Sequence, residues 1–305
     1  MDTLVHNQKQ KIVVIVGPTS SGKTALSIDL ARNIGGEVIS ADSRQVYKGL
    51  DIGTGKVTRS EMKGIRHHLL DVASPKKVFT AADFVARGRE ALEDIVRRGK
   101  TPIICGGTGF YIDALLGRIS LPDVPANSKL RARLEKKSAS QLYAMLKKMD
   151  PRRAKNIDRK NPVRLVRAIE IAKALGKVPL PSIDLRGRYS SIWIGLKPDD
   201  KTLRKKIHAR LLDRMRHGMV AEAKILRGQG LSYKRMDQLG LEYRYLSRFL
   251  QNNISKDDML RDLERDIWHY ARRQMTYWRK NGEIEWFSGA KEVYSRHRSR
   301  LFDTK

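Results

Sequence analysis

Cysteine is almost missing from this chain. Cys105 is the only one among 305 residues, which excludes an internal disulfide and a cysteine-built zinc site. Long apolar runs are missing too, since no stretch approaches the roughly 20 residues that cross a bilayer. The opening MDTLVHNQKQ lacks the apolar core of a signal peptide, so the cytoplasm is the expected compartment and no membrane partner is expected. There is no internal repeat and no low-complexity tail. Acidic residues are the last shortage: 33 Asp and Glu stand against 62 Lys and Arg, for a net charge of +29. Most of that excess, +23, falls after residue 120. A solvated basic face is the plain explanation, but an excess of this size on a folded chain points to a polyanionic partner, with nucleic acid the leading candidate.

What the chain does have begins with GPTSSGKT, Gly17 to Thr24. Its spacing is G-x-x-x-x-G-K-[ST], in which the glycines let successive amide N–H groups curl inward onto phosphate oxygens. Gly17, Thr19, Ser20, Ser21 and Gly22 would line the loop. Lys23 would bring a point charge to the outer phosphate, Thr24 would offer a hydroxyl to Mg²⁺, and the following helix would add its positive dipole end. The β-branched run Ile12–Val16 before it and the amphipathic stretch after it supply the strand and helix this motif requires. The motif alone does not say which phosphate compound is held.

The first part of the chain alternates strand and helix: KIVVIV, ALSIDLARNI, EVISA, HHLLDV, AADFVARGREALEDIVRRG and TPIICGG. This order predicts an α/β fold, a P-loop NTPase-like parallel sheet flanked by helices, with ligands at the carboxyl ends of the strands. Gly17, Asp42 and Thr108 all lie just past such ends. After Pro122 and Pro125 the pattern turns helical, through RARLEKKSASQLYAMLKKM and NPVRLVRAIEIAKALGK. In the latter, Asn161 is the expected N-cap, Pro162 the first helical residue and Gly176 the stop. Ser190–Leu196 reads as a strand that rejoins the sheet, and from Asp199 onward the chain reads as almost wholly helical and basic. The expected domains are a P-loop core of residues 1–120 and 190–305, with helices at its carboxyl end, and an inserted helical subdomain of residues 121–189.

Several rim elements carry chemistry. Asp42, at a strand end beside the phosphate loop, could bind Mg²⁺, act as a base or cap the next turn. GGTGFY, Gly106–Tyr111, sets a threonine hydroxyl between glycines that permit close backbone approach. Ser43 and Gln45 can hydrogen-bond base edges, and Arg44 can reach a phosphate or a base. Arg164 and Arg167 are three apart on one predicted helix, as a pair of phosphate contacts would be. RRQMTYWR, Arg272–Arg279, interleaves cations and aromatics in a way suited to stacking and backbone contact with nucleic acid.

GPTSSGKT, ISADSRQVY, DIGTGK, HHLLD, GGTGFYIDALL, NPVRLVRAIE, LKPDD and ARRQMTYWR, in this order over nearly the whole chain, resemble the tRNA dimethylallyltransferase (tRNA isopentenyltransferase) family. The resemblance implies transfer of a dimethylallyl group from dimethylallyl diphosphate to the exocyclic amine of the adenosine just 3′ of the anticodon, with the loop holding the diphosphate leaving group. It implies Asp42 as general base, Thr108 against the adenosine and Arg210 as a further cation for the diphosphate. It also implies Asp42, Ser43, Arg44, Gln45, Arg131, Arg164, Arg167, Arg272, Arg273, Gln274 and Arg279 along the anticodon stem-loop, Mg²⁺ as cofactor, and a monomer.

Four positions depart from the family pattern. Val163 stands for a glutamine, Gly240-Leu241 for Gly-Tyr, Ile267-Trp268 for Thr-Arg, and Lys206 for a common arginine. Two other readings stay open on the residues alone. One is an adenylate isopentenyltransferase acting on free nucleotides, which the later basic helices oppose. The other is a P-loop kinase or nucleic-acid-binding ATPase.

Overall fold

Residues Ile12 to Val16 are wholly buried, because their strand lies inside a parallel sheet covered on both faces, where an unbroken β-branched run is the expected pattern. The computed structural model describes residues 10–179 and 189–302, with side chains to residue 296. The opening stretch Met1–Lys9 and the expected joint just before residue 189 lie outside the described residues.

The first elements are β1 (Gln10–Val16), α1 (Lys23–Ile34), β2 (Gly36–Ser40), α2 (Arg59–Met62), β3 (His67–His68), α3 (Ala81–Arg97), β4 (Thr101–Cys105) and α4 (Gly109–Leu115). The helical region follows as α5 (Ser128–Leu134), α6 (Ala139–Met149), α7 (Pro151–Lys155) and α8 (Pro162–Leu175). The chain then continues through β5 (Tyr189–Leu196), α9 (Asp200–Arg216), α10 (Met219–Gly228), α11 (Tyr233–Leu239), α12 (Leu241–Leu250), α13 (Lys256–Trp278), β6 (Glu285–Phe287) and α14 (Ala290–Phe302).

The strands form one parallel sheet in the order β3-β2-β4-β1-β5-β6. β1 pairs with β4 (Val13 with Ile103) and with β5 (Val13 with Ile192), so the phosphate loop leaves the middle of the sheet. β6 is a correction to the helical reading of the carboxyl portion. It adds a parallel edge through Ile194–Glu285 and Leu196–Phe287, and Gly195 is needed there because a Cβ would collide with the Trp286 ring.

Two compact units result: Met1–Leu115 with Leu185–Lys305, and Leu116–Asp184. In the larger, Val13, Ile15, Leu26, Leu30, Ile103, Ile194, Phe287 and Val293 form a core beneath α1 and α14. A second core joins α9 to α13 with Val46, Tyr47 and Leu50, so the segment after Asp42 is packed into the carboxyl-terminal helices. In the smaller unit the helical stretch that includes Arg131–Met149 is divided into two helices, α5 and α6. The first ends at Leu134 with Glu135 as its C-cap, and Ser138 starts the second with a capping box to Gln141, which satisfies two end amides at once. Asn161 caps α8 through the Arg164 N–H at 3.1 Å, as its sequence predicts.

Candidate active site

The loop Gly17–Thr24 joins β1 to α1. Gly17 has φ 141°, and a Cβ there would strike the Leu196 carbonyl, so only glycine lets the loop pass β5. Ser20 and Gly22, at φ 61° and 98°, complete the curl, and Ser21 is buried beneath it. No side chain caps α1 at Gly22, which leaves the first amides of the helix for an anion. The Lys23 ammonium bonds the Pro18 carbonyl and lies 3.5 Å from Ser21 Oγ. Burial lowers its pKa to about 8, with Arg210 adding to the fall and Cys105 and Asp42 opposing it. Thr24 is exposed, and its hydroxyl makes no bond among the described residues. Thr19 is different: its N–H is held by Gln274 Oε1 at 2.8 Å, so this amide is already used within the chain.

Asp42 follows β2 and is half-buried. Its Oδ1 accepts the N–H groups of Arg44 at 2.8 Å and Gln45 at 3.3 Å, which caps the next turn, while Oδ2 makes no bond among the described residues. The loop after β4 closes on it from the other side. Thr108 N–H donates to the Ala41 carbonyl at 3.2 Å, and Thr108 Oγ1 accepts from Ser43 N–H at 3.2 Å. Tyr270, on α13, hydrogen-bonds the Thr108 side chain. Burial, followed by the Asp42 charge, pushes its phenol well above the ordinary range.

Arg210 of α9 comes to the same rim across the loop Asp51–Lys56. It donates to the Gly55 carbonyl at 2.8 Å, and a Cβ on Gly55 would collide with its guanidinium. Desolvation, then the neighbouring Arg214 charge, lowers its pKa, with Glu242 and Asp42 opposing. Lys23, Arg210 and Asp42 therefore feel one another's charge. Gln45 Nε2 donates to the same Gly55 carbonyl at 3.3 Å.

α13 locks the second glycine loop. Gln274 Nε2 donates to the Gly107 carbonyl at 3.0 Å while Oε1 holds Thr19, and Tyr277 donates to Asp113 Oδ2 at 2.6 Å. A Cβ on Gly107 would collide with Gln274, and one on Gly109 with Tyr277. Gln274 is buried and ties two loops together, with Nε2 on the Gly107 carbonyl and Oε1 on the Thr19 N–H. Arg272 and Arg273 are exposed on the same helix, and Arg279 is exposed at its C-cap. Ile267 and Trp268 are buried, and Arg204 lies 3.9 Å over the Trp268 ring, so this departure from the family pattern serves packing between α9 and α13. Leu241 takes φ 32°, a region costly for a side chain with a Cβ.

In the smaller unit Arg164 and Arg167 are not a matched pair. Arg167 bonds Glu170 and the Val124 carbonyl, and Arg131 grips Glu170 through Nε at 3.0 Å and Nη2 at 2.8 Å. Arg164 is exposed, with no side-chain bond among the described residues, beside Val163 at 77% exposure. Sequence reasoning missed Tyr270, Glu222 and Tyr243, each brought to the rim by helices distant in the chain. Of these, Tyr270 had one usable signal, its place two residues before the basic-aromatic stretch.

The family described as IPP transferase matches residues 45–281. Among named relatives, tRNA dimethylallyltransferase 2 of Treponema denticola is 40% identical, covering 94% of this chain and 98% of that protein. The tRNA dimethylallyltransferase of Anoxybacillus flavithermus is 38% identical over 91% and 90%. The crystal structure of the full-length tRNA isopentenylpyrophosphate transferase from Bacillus halodurans superposes with a TM-score of 0.72 at 33% identity, covering 96% of this chain and 97% of that one. A eukaryotic dimethylallyltransferase acting on tRNA gives a TM-score of 0.78 at 25% identity, over 95% and 77%.

Proposed function

Because the chain belongs to the IPP transferase family, we propose that it transfers a dimethylallyl group from dimethylallyl diphosphate to the exocyclic amine of the adenosine just 3′ of the tRNA anticodon, giving N6-dimethylallyladenosine. The observation that carries this reading is one rim holding two cations, Lys23 and Arg210, beside a carboxylate, Asp42, with one oxygen fixed and the other open.

The exocyclic amine is a weak nucleophile, so the carbon–oxygen bond to diphosphate has to break as the new carbon–nitrogen bond forms. Charge grows on the departing diphosphate, and Lys23, Arg210 and the amides at the start of α1 neutralise it. The amine proton goes to Asp42 Oδ2, while Oδ1 stays held by two backbone amides that keep the carboxylate aimed. Thr108, held by Ser43 and Tyr270, lies against the adenosine. A stacked base cannot reach this corner, so it has to be splayed from the anticodon loop. Ser43, Arg44 and Gln45 hold its neighbours, and Arg131, Arg164, Arg167, Arg272, Arg273 and Arg279 meet stem and loop phosphates.

Among the described residues no group of three or more acidic, histidine or cysteine side chains is set to hold a metal. The exposed Thr24 hydroxyl, without a bond among the described residues, is a donor of the kind Mg²⁺ accepts, since that ion keeps most of its waters and takes few protein ligands beside substrate phosphates. Thr24 would be its ligand, and the ion would supply further charge neutralisation on the diphosphate. Among the described residues no helix is long and apolar enough to cross a membrane. We place the enzyme with its tRNA in the cytoplasm, acting as a monomer.

The test is mass spectrometry of nucleosides from unmodified tRNA incubated with protein, dimethylallyl diphosphate and Mg²⁺, with AMP in parallel. One dimethylallyl group on tRNA adenosine with AMP untouched is expected. Modified AMP would replace this reading with the free-nucleotide enzyme, and no product in either would overturn prenyl transfer.

A further inference from the structure

The loop Asp51–Lys56 has no regular secondary structure of its own, yet it carries the carbonyl on which Arg210 rests. Its shape comes from a side chain far along the chain. Glu222, in the first turn of α10, accepts the N–H groups of Asp51 at 2.8 Å and Ile52 at 2.7 Å through Oε2, and that of Gly53 at 2.9 Å through Oε1. Three consecutive amides gathered on one anion form the kind of concavity that backbone uses to bind phosphates, here filled by the protein's own carboxylate. Tyr243 of α12 donates to Glu222 Oε1 at 2.6 Å, and burial, followed by the Glu222 charge, raises its phenol well above the ordinary range and keeps it a donor. With its amides turned inward, the loop turns carbonyls toward α9: Gly53 receives Arg214 at 2.7 Å and Gly55 receives Arg210 at 2.8 Å. The Gly55 carbonyl also receives Gln45 Nε2, so one oxygen joins the diphosphate-side cation to the segment assigned to tRNA.

We propose that Glu222 is a positioning residue, which holds Arg210 and Gln45 in register through the loop Asp51–Gly55 without touching either substrate. This rests on the diphosphate reading of the rim given above. Glu222 is half-buried and bonds the loop's amides, not Arg210, so it acts through the backbone it collects.

The test is a double-mutant cycle on the full chain, reading affinity for inorganic diphosphate with Mg²⁺ by calorimetry and amide hydrogen exchange at residues 51–55. Glu222→Gln is expected to weaken diphosphate about 10-fold and Arg210→Ala about 100-fold, with the double variant still near 100-fold, because residues acting through one another do not add. Exchange at Asp51, Ile52 and Gly53 is expected to speed up in Glu222→Gln while the melting temperature of the sheet is kept. An additive cycle, near 1000-fold, or unchanged exchange would overturn the proposal. If Glu222→Gln fails to fold, Tyr243→Phe runs the same cycle, with an expected effect of about 3-fold that vanishes in the Arg210→Ala background. Wild-type protein that binds no diphosphate would overturn the phosphate reading of the rim, while the exchange arm still decides whether Glu222 holds the loop.

Discussion

Gln274 Oε1 accepts the backbone N–H of Thr19 at 2.8 Å across 255 residues of sequence, and its Nε2 closes on the Gly107 carbonyl. One buried amide therefore sets the spacing between the phosphate loop and the loop that carries Thr108. Gln274→Ala leaves a buried donor and a buried acceptor unpaired, a cost of about 1–3 kcal/mol for each such group. The expected outcome is a lower melting temperature and diphosphate affinity reduced by about tenfold, with tRNA affinity unchanged. Selective loss of tRNA binding in a nucleotide-binding and filter-binding comparison would return Gln274 to the RNA surface.

Asp42→Asn separates binding from proton transfer. The asparagine carbonyl oxygen can still accept the Arg44 N–H, now 2.8 Å from Asp42 Oδ1, so the turn survives. The group no longer takes a proton. Single-turnover transfer is expected to slow by roughly 100-fold or more while tRNA affinity holds, the usual scale for a lost general base. Wild-type turnover in this variant would remove Asp42 from that role.

What was legible in the chain was whatever a local backbone need dictates. Gly17 and Gly22 are spaced for a phosphate curl, Asp42 ends a strand, and Asn161 with Gly176 brackets a helix. All of these follow from short-range sterics and capping. The Ser138–Gln141 box was equally local, but it sat inside a run of good helix formers that masked it. β6 is only three residues, Glu285–Phe287, too short for any period to register. Gln274 is given an RNA contact by the resemblance alone, and its partners within the chain lie 167 and 255 residues away, where only the tertiary fold brings them together. Arg131 and Arg167 show the same limit: both read as phosphate contacts, and both also grip one buried glutamate.

Lys23 sets a pH limit on diphosphate binding. Burial brings its ammonium to about 8, with Arg210 in the same direction, so the free protein loses this charge as pH rises above that value. A bound diphosphate needs the charged form, so binding above about 8 has to take up a proton. Affinity is expected to be flat below that point as far as this group is concerned, and to fall by up to about tenfold per pH unit above it. Calorimetry in two buffers of different ionisation enthalpy measures the uptake, and Lys23→Arg should abolish it. Equal heats in both buffers for the wild type would show that Lys23 stays charged.

Salt reads the RNA surface. Exposed arginines on phosphates release counterions, so tRNA affinity is expected to fall steeply as salt rises. Arg164, exposed and without a side-chain bond among the described residues, should contribute about one unit to the slope of log affinity against log salt, and Arg164→Ala should remove it. A flat salt response would sink the polyanion argument built on the net charge of +29.

Glu170 predicts how the smaller unit responds to acid. Its burial opposes the charged form, but Arg131, the Asn127 N–H at 2.6 Å and Arg167 outweigh this and hold the carboxyl at about 2, against an ordinary 4.5. A group whose folded pKa lies below its unfolded one adds stability in full above the unfolded value, and that stability is lost as pH falls toward the folded one. The contribution is on the order of 2–3 kcal/mol above about pH 5, shrinking between there and pH 2. Glu170→Gln removes the titrating group and leaves Arg131 and Arg167 facing a neutral amide. At neutral pH the helices α5 and α8 are expected to exchange amide hydrogens faster than in the wild type, and acidification should then change the two proteins differently. The wild type loses protection in these helices between about pH 5 and 2, whereas the variant, already weakened, shows little further loss from this site. Identical acid profiles for the two would mean that the arginines, not the carboxylate, hold this corner of the fold.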